Sequence, residues 1–185
     1  MALLETVVRG RRTIHRFKAG EVPEAALRRA LECAQWAPNH KLSFPWRFAV
    51  VGPATRKKLT EIGVSLEGGE SLPADRLASV RGKLTAPGAL IVVSCKESPA
   101  DALRAREDYA SACCAIQLML LSLWSEGIGT KWGTGTLTTH ARTYELLGIA
   151  PEAEKIIGFV WAGIPAELPD APARPLLEQV SRWLP

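Results

Sequence analysis

The chain of 185 residues is 47% hydrophobic and 23% charged, with a net charge of +4. These are the proportions of an ordinary globular chain that can bury a core without disulfide staples, and they exclude intrinsic disorder, a collagen-like repeat and a coiled-coil rod. The charge is uneven, since residues 1–60 hold twelve Lys or Arg against four acids; a solvated face, a nucleic-acid surface and an attractor for phosphate-bearing small molecules all fit such a stretch.

Residues 2–9 read as a short helix, with Leu3, Leu4, Val7 and Val8 forming one apolar stripe and Gly10 stopping it. A second helix starts at Val22-Pro23-Glu24, where proline suits the first turn and glutamate its positive end, and Pro38 forces an exit near Trp36. Residues 46–51 read as a buried strand, 54–62 as a short helix, and 63–86 as a loop carrying a small helix. A second buried strand follows over 89–95. Residues 102–126 form a helix ended by Gly127, and its stretch from Ala112 to Trp124 is apolar nearly all round, so that it needs cover on every side. Strands over 131–134 and 155–161 flank a helix over 140–147. The segment 164–185, with five prolines, is an arm with at most one short helix. The elements interleave without a regular βαβ rhythm, which points to an α+β fold, with residues 1–185 as one domain.

Cys33, Cys95, Cys113 and Cys114 show no CxxC or zinc-site spacing and read as small buried hydrophobes in a reducing compartment. The first residues lack the apolar core of a signal peptide, and the longest mostly apolar stretch is too short to span a bilayer, so the cytoplasm is expected. Phosphate-loop, dinucleotide-fold, nucleophile-elbow and HExxH patterns are absent, and His15, His40 and His140 are widely separated. An enzyme of this composition would leave the difficult step to an organic cofactor, with neither a metal nor a catalytic side chain of its own.

Three segments could touch such a cofactor. In residues 11–17, the Arg11 and Arg12 guanidiniums and the Thr13 hydroxyl suit a phosphate monoester; a solvated basic turn is the alternative. In residues 36–48, two prolines stiffen a loop in which Trp46 or Phe48 packs into the core, leaving Asn39 and His40 for a planar ligand. In residues 127–135, glycines around a threonine let backbone amides approach a ligand, or simply make a tight connection into a strand.

Taken in order, these segments resemble the nitroreductase family of FMN-dependent oxidoreductases, most closely its small, single-domain NAD(P)H nitroreductase branch. Arg11-Arg12-Thr13 resembles the family's Arg-Arg-Ser opening, Ala37-Pro38 leading to Pro45-Trp46 its Ala-Pro and Pro-Trp signature, and Trp132-Gly133-Thr134-Gly135 its later glycine-rich flavin contact. The resemblance implies a three-layer α/β/α sandwich with a mostly antiparallel central sheet. It also implies a homodimer with long interface helices and one FMN in each of two sites between the subunits. Arg11, Arg12 and Thr13 would hold the phosphate and ribityl chain. Trp36 and His40 would come from the other subunit, and Gly133, Thr134 and Gly135 would line the isoalloxazine and its tail. Residues 123–128 correspond to a stretch assigned to the nicotinamide nucleotide.

The implied activity is ping-pong hydride transfer from NAD(P)H to nitroaromatics, quinones or similar flat acceptors. A flavin-binding sensor or carrier without turnover, and a nucleic-acid-binding module, are the alternatives. His15 departs from the family pattern, standing where many members have Lys or Arg near the flavin pyrimidine; Arg16 and Lys131 are substitutes for that cation, and Arg174 resembles a basic C-terminal position that reaches the phosphate.

Overall fold

A computed structural model describes residues 3–185, the Glu70 side chain apart. The expected start of the first helix at Ala2 lies outside these residues. The helices are α1 (Leu3–Gly10), α2 (Glu24–Ala34), α3 (Pro53–Leu66), α4 (Ala74–Thr85), α5 (Ala102–Ser125), α6 (Thr136–Thr139), α7 (Ala141–Leu147) and α8 (Leu177–Val180). The strands β1 (Trp46–Val50), β2 (Ala89–Lys96), β3 (Gly129–Gly133) and β4 (Glu154–Gly163) form one antiparallel sheet in the order β1-β2-β4-β3.

Both faces of the sheet are covered, which is why β2 reads as a continuous apolar run rather than an alternating one. Ala89, Ile91, Val93 and Cys95 face α2 and α5, where Leu27, Ala30, Ala112, Ile116, Met119 and Leu123 complete one core. Leu90 and Val92 face the other way, toward Leu59 of α3, Tyr144 of α7 and half-buried Leu84 of α4. The result is the expected three-layer α/β/α arrangement. Along β4 the alternation slips. Val93 pairs with Gly158 but Ser94 with Ile156, so Ile157 is an extra residue in a bulge. Ile157 and Val160 therefore share the α5 face, while Ile156, Phe159 and Trp161 share the α3 face.

Helix ends follow local chemistry. Pro53 opens α3, the Asp101 carboxylate accepts from the Arg104 amide at α5, and Gly148 ends α7 in a left-handed conformation. Three expectations, on the 63–86 loop, the start of β3 and the cysteines, are corrected. The predicted loop over 63–86 is mostly helical: α3 continues to Leu66, and α4 follows a 3₁₀ turn at Gly69–Ser71. The strand expected from Lys131 begins at Gly129. Helix α5, whose cover was expected from a layered fold or from a partner subunit, keeps Ala110, Cys114 and Gln117 exposed along one side of the single chain. Of the four cysteines, all free thiols, only Cys95 is buried; Cys113 is half-buried, Cys33 and Cys114 exposed.

More apolar surface lies open elsewhere. α1 buries no residue, leaving its stripe with Leu3 82% exposed and Leu4 68% exposed. Residues 167–180 of the C-terminal arm are exposed throughout, and Trp183 is 93% exposed. No helix among the described residues is long and apolar enough to cross a membrane.

Candidate active site

The segment after α1 is laid along the edge of the sheet. Thr13 forms a parallel bridge with Thr130, and the Ile14 amide donates to the Thr130 carbonyl at 2.9 Å. Further on, Phe17 bridges Pro165, and the Lys18 amide donates to the Ile164 carbonyl at 2.9 Å. Gly129 permits this approach: a Cβ there would lie 2.6 Å from Ile14 Cγ1 and 2.8 Å from Pro165 Cγ.

Along this path Arg11 comes under the charge of two other guanidiniums, Arg12 and Arg174. Arg11 is half-buried, and burial, followed by the Arg12 and Arg174 charges, lowers its pKa from the ordinary arginine value. Arg12 turns back to cap α1, its Nη1 donating to the carbonyls of Arg9 at 2.7 Å, Gly10 at 3.2 Å and Arg11 at 2.9 Å. No carboxylate among the described residues forms an ion pair with Arg11, Arg12 or Arg174. Arg11 thus feels two further positive charges with no ion-paired carboxylate beside it, an arrangement that suits an anion, and forked guanidiniums match phosphate geometry. Arg174 entered the sequence reading only through its resemblance to a basic C-terminal position, and its charge bears on Arg11 here.

The same segment runs into a cleft of about 320 Å³ on the α3 face of the sheet. Its floor is Phe159 and Trp161 of β4, whose rings pack edge to face with centroids 6.1 Å apart. The outer wall is built by Leu66 and Glu67 at the end of α3 and by Val80, Lys83, Leu84 and Pro87 in and after α4. The other side is Lys131 and the turn Gly133-Thr134-Gly135, with His15 and Phe17 at the entrance segment. Gly135 has φ +140°, and its amide and carbonyl bracket the Thr138 hydroxyl at 3.3 and 2.7 Å. Lys83 was not among the predicted site residues because it lay in the predicted loop. Its signal was the spacing of Leu77, Val80 and Leu84, an apolar stripe with Lys83 beside it.

Trp36 and His40 are not brought to this cleft within one chain. They follow α2 on the opposite face of the sheet, with Trp36 86% exposed and His40 Nδ1 2.7 Å from Glu107 Oε2. Their loop is firmly built. Lys41, Leu42 and Phe44 all have positive φ, at 58°, 51° and 44°. Asn39 holds it: Oδ1 accepts from the Phe44 amide at 2.7 Å, and Nδ2 donates to Ser43 Oγ at 2.9 Å and Ser111 Oγ at 3.2 Å. Ser43 Oγ donates in turn to the buried Asp108 carboxylate, which also accepts from Arg104 Nε at 3.2 Å. Trp46 is buried and Phe48 half-buried, so both side chains pack in the core rather than remaining open.

Cations for a phosphate, a cleft with an aromatic floor and a backbone turn at its edge together suit a flat, phosphorylated ligand. The comparisons agree with this geometry. A family model described as the nitroreductase family matches residues 8–164. A Bacillus subtilis protein, named "Putative NAD(P)H nitroreductase YfhC", is 30% identical over 178 residues, covering 94% of this chain and 90% of that relative. The crystal structure of a nitroreductase-like family protein from Bacillus cereus superposes with a TM-score of 0.86 at 28% identity, covering 100% of this chain and 97% of that one. A Desulfovibrio desulfuricans structure, solved in complex with FMN, has the same fold with a TM-score of 0.76 at 23% identity, covering 100% of this chain and 99% of that one.

Proposed function

The chain belongs to the nitroreductase family, and from that membership we propose that it is a homodimeric, FMN-dependent oxidoreductase that uses NAD(P)H to reduce flat electron acceptors such as nitroaromatics or quinones. The observation that carries this reading is the uncompensated Arg11-Arg12-Arg174 cluster, joined by residues 13–17 to the aromatic-floored cleft. FMN has a phosphate for the cluster and a planar ring for the cleft, so the residues present fit it. The name of the Bacillus subtilis relative and the FMN complex of the Desulfovibrio protein support the same pairing.

When bound, FMN would supply the redox chemistry that links NAD(P)H to the acceptor. The chain's own residues bind and orient. Arg11 and Arg174, with Thr13, hold the phosphate and ribityl chain, and Arg12 combines this duty with capping α1. Gly133, Thr134 and Gly135 line the ring and its tail. Lys83 and Lys131 make the cleft cationic against the single carboxylate of Glu67, which favours negative charge on a ligand bound there. Phe159 and Trp161 keep water from the floor. Trp36 and His40, exposed here and carried on a braced loop, serve the cleft of a second copy, and residues 1–185 act as one domain with the 164–185 arm.

The purified protein, reconstituted with FMN, is expected to show a flavin spectrum that bleaches on anaerobic NADH or NADPH and recovers on addition of a quinone. A yellow protein that does not bleach would instead be a carrier or sensor, and a protein that retains no FMN would overturn the reading.

A further inference from the structure

The outer wall of the cleft is held unevenly. α4 buries only Val80, and its ion pairs, Arg81 with Glu61 at 2.8 Å and Arg76 with Glu67 at 3.9 Å, lie at the surface where such pairs add little. The firm tie is at its C-terminal end. Arg56 of α3 donates from Nε and Nη2 to the Leu84 carbonyl at 3.1 and 3.0 Å, and from Nη2 to the Pro87 carbonyl at 2.5 Å. The same guanidinium lies 5.6 Å from the ring centroid of Trp161. Leu84 and Pro87 are wall, and Trp161 is floor.

Among the described residues no carboxylate forms an ion pair with Arg56. Burial lowers its pKa from the ordinary arginine value. A half-buried cation that spends its donors on the open carbonyls of a helix end, and its face on an indole, acts as a spacer between two surfaces. We infer that Arg56 is a positioning residue that fixes the Leu84–Pro87 wall relative to the Trp161 floor, and so sets the thickness of acceptor that the cleft admits. The acceptor part of this inference rests on the oxidoreductase reading; the positioning part does not.

Arg56→Lys keeps the charge but loses the fork, and Arg56→Ala loses both. Amide exchange in the FMN-loaded protein tests the position directly. Exchange over residues 82–88 is expected to rise by about tenfold in Arg56→Lys and further in Arg56→Ala, while β2 and β4 stay protected. Unchanged exchange in that segment would overturn the inference, and if Arg56→Ala fails to fold, Arg56→Lys decides alone.

Steady-state kinetics then compare 1,4-benzoquinone with a quinone carrying bulky out-of-plane substituents. In the variants KM for the thin acceptor is expected to rise about tenfold, with kcat within about twofold, while KM for the thick one stays level or falls. Equal losses for both acceptors, tracking thermal stability, would overturn the specificity role. Absence of turnover in the unaltered protein would overturn the oxidoreductase reading and leave the exchange result standing.

Discussion

At Arg11 the sequence offered two meanings, a solvated turn or a phosphate grip, and neighbouring residues could not separate them. What sets Arg11 apart is Arg174, far along the chain, whose charge bears on it although no local pattern links the two. Replacing Arg11 and Arg174 together by Ala is expected to weaken FMN binding by about a hundredfold and riboflavin binding by much less, since two charge-assisted contacts to phosphate are lost. Fluorescence titration with both flavins checks this, and equal losses would count against the phosphate assignment. Arg12→Ala will also fray α1, because that side chain caps the helix. Cys95 makes a different forecast. Burial, with smaller contributions led by Asp108, pushes its thiol up to about 12 from the ordinary 9.0. It therefore stays protonated at pH 8, and iodoacetamide should label exposed Cys33 and Cys114 and spare Cys95 in mass-spectrometric mapping. Because the folded pKa is the raised one, this thiol adds stability below pH 9 that is lost as pH climbs from about 9 toward about 12.

Among the elements, those with a dense apolar pattern were readable and α4, with a sparse one, was not. β2, α5 and β4 announce themselves by apolar density, whereas α4 buries a single residue and leaves a pattern too thin to tell from a loop. The bulge at Ile157 was likewise invisible, since it depends on how β4 meets β2 rather than on either strand. The braced loop at 39–44 is the element most open to test. Three left-handed residues cost about 1–2 kcal/mol each, and Asp108 is where their hydrogen-bond chain ends. Asp108→Ala strands Ser43 and Arg104 and should destabilise the fold by about 2–4 kcal/mol in urea unfolding, with Asp108→Asn losing less because an acceptor remains.

For the whole molecule, apolar side chains among the described residues remain open on the α1 stripe, along one side of α5, on the loop with Trp36, Leu42 and Phe44, and on the arm with Leu176, Leu177 and Trp183. That much exposed apolar area is what a partner copy would cover. Deleting residues 167–185 removes Arg174 as well, so sedimentation should shift toward monomer and FMN affinity should fall by at least about tenfold. An unchanged dimer with full flavin retention would refute the shared site. The order of the strands carries a separate consequence. β4 lies between β2 and β3 yet comes last of the four, so neither neighbour can complete its pairing until residue 163 has been synthesised. A nascent chain on the ribosome therefore carries the β1-β2 pair without its central neighbour, and β3 without any partner strand, until β4 is complete, and stalling before that strand should yield a protease-sensitive product rather than a smaller folded one.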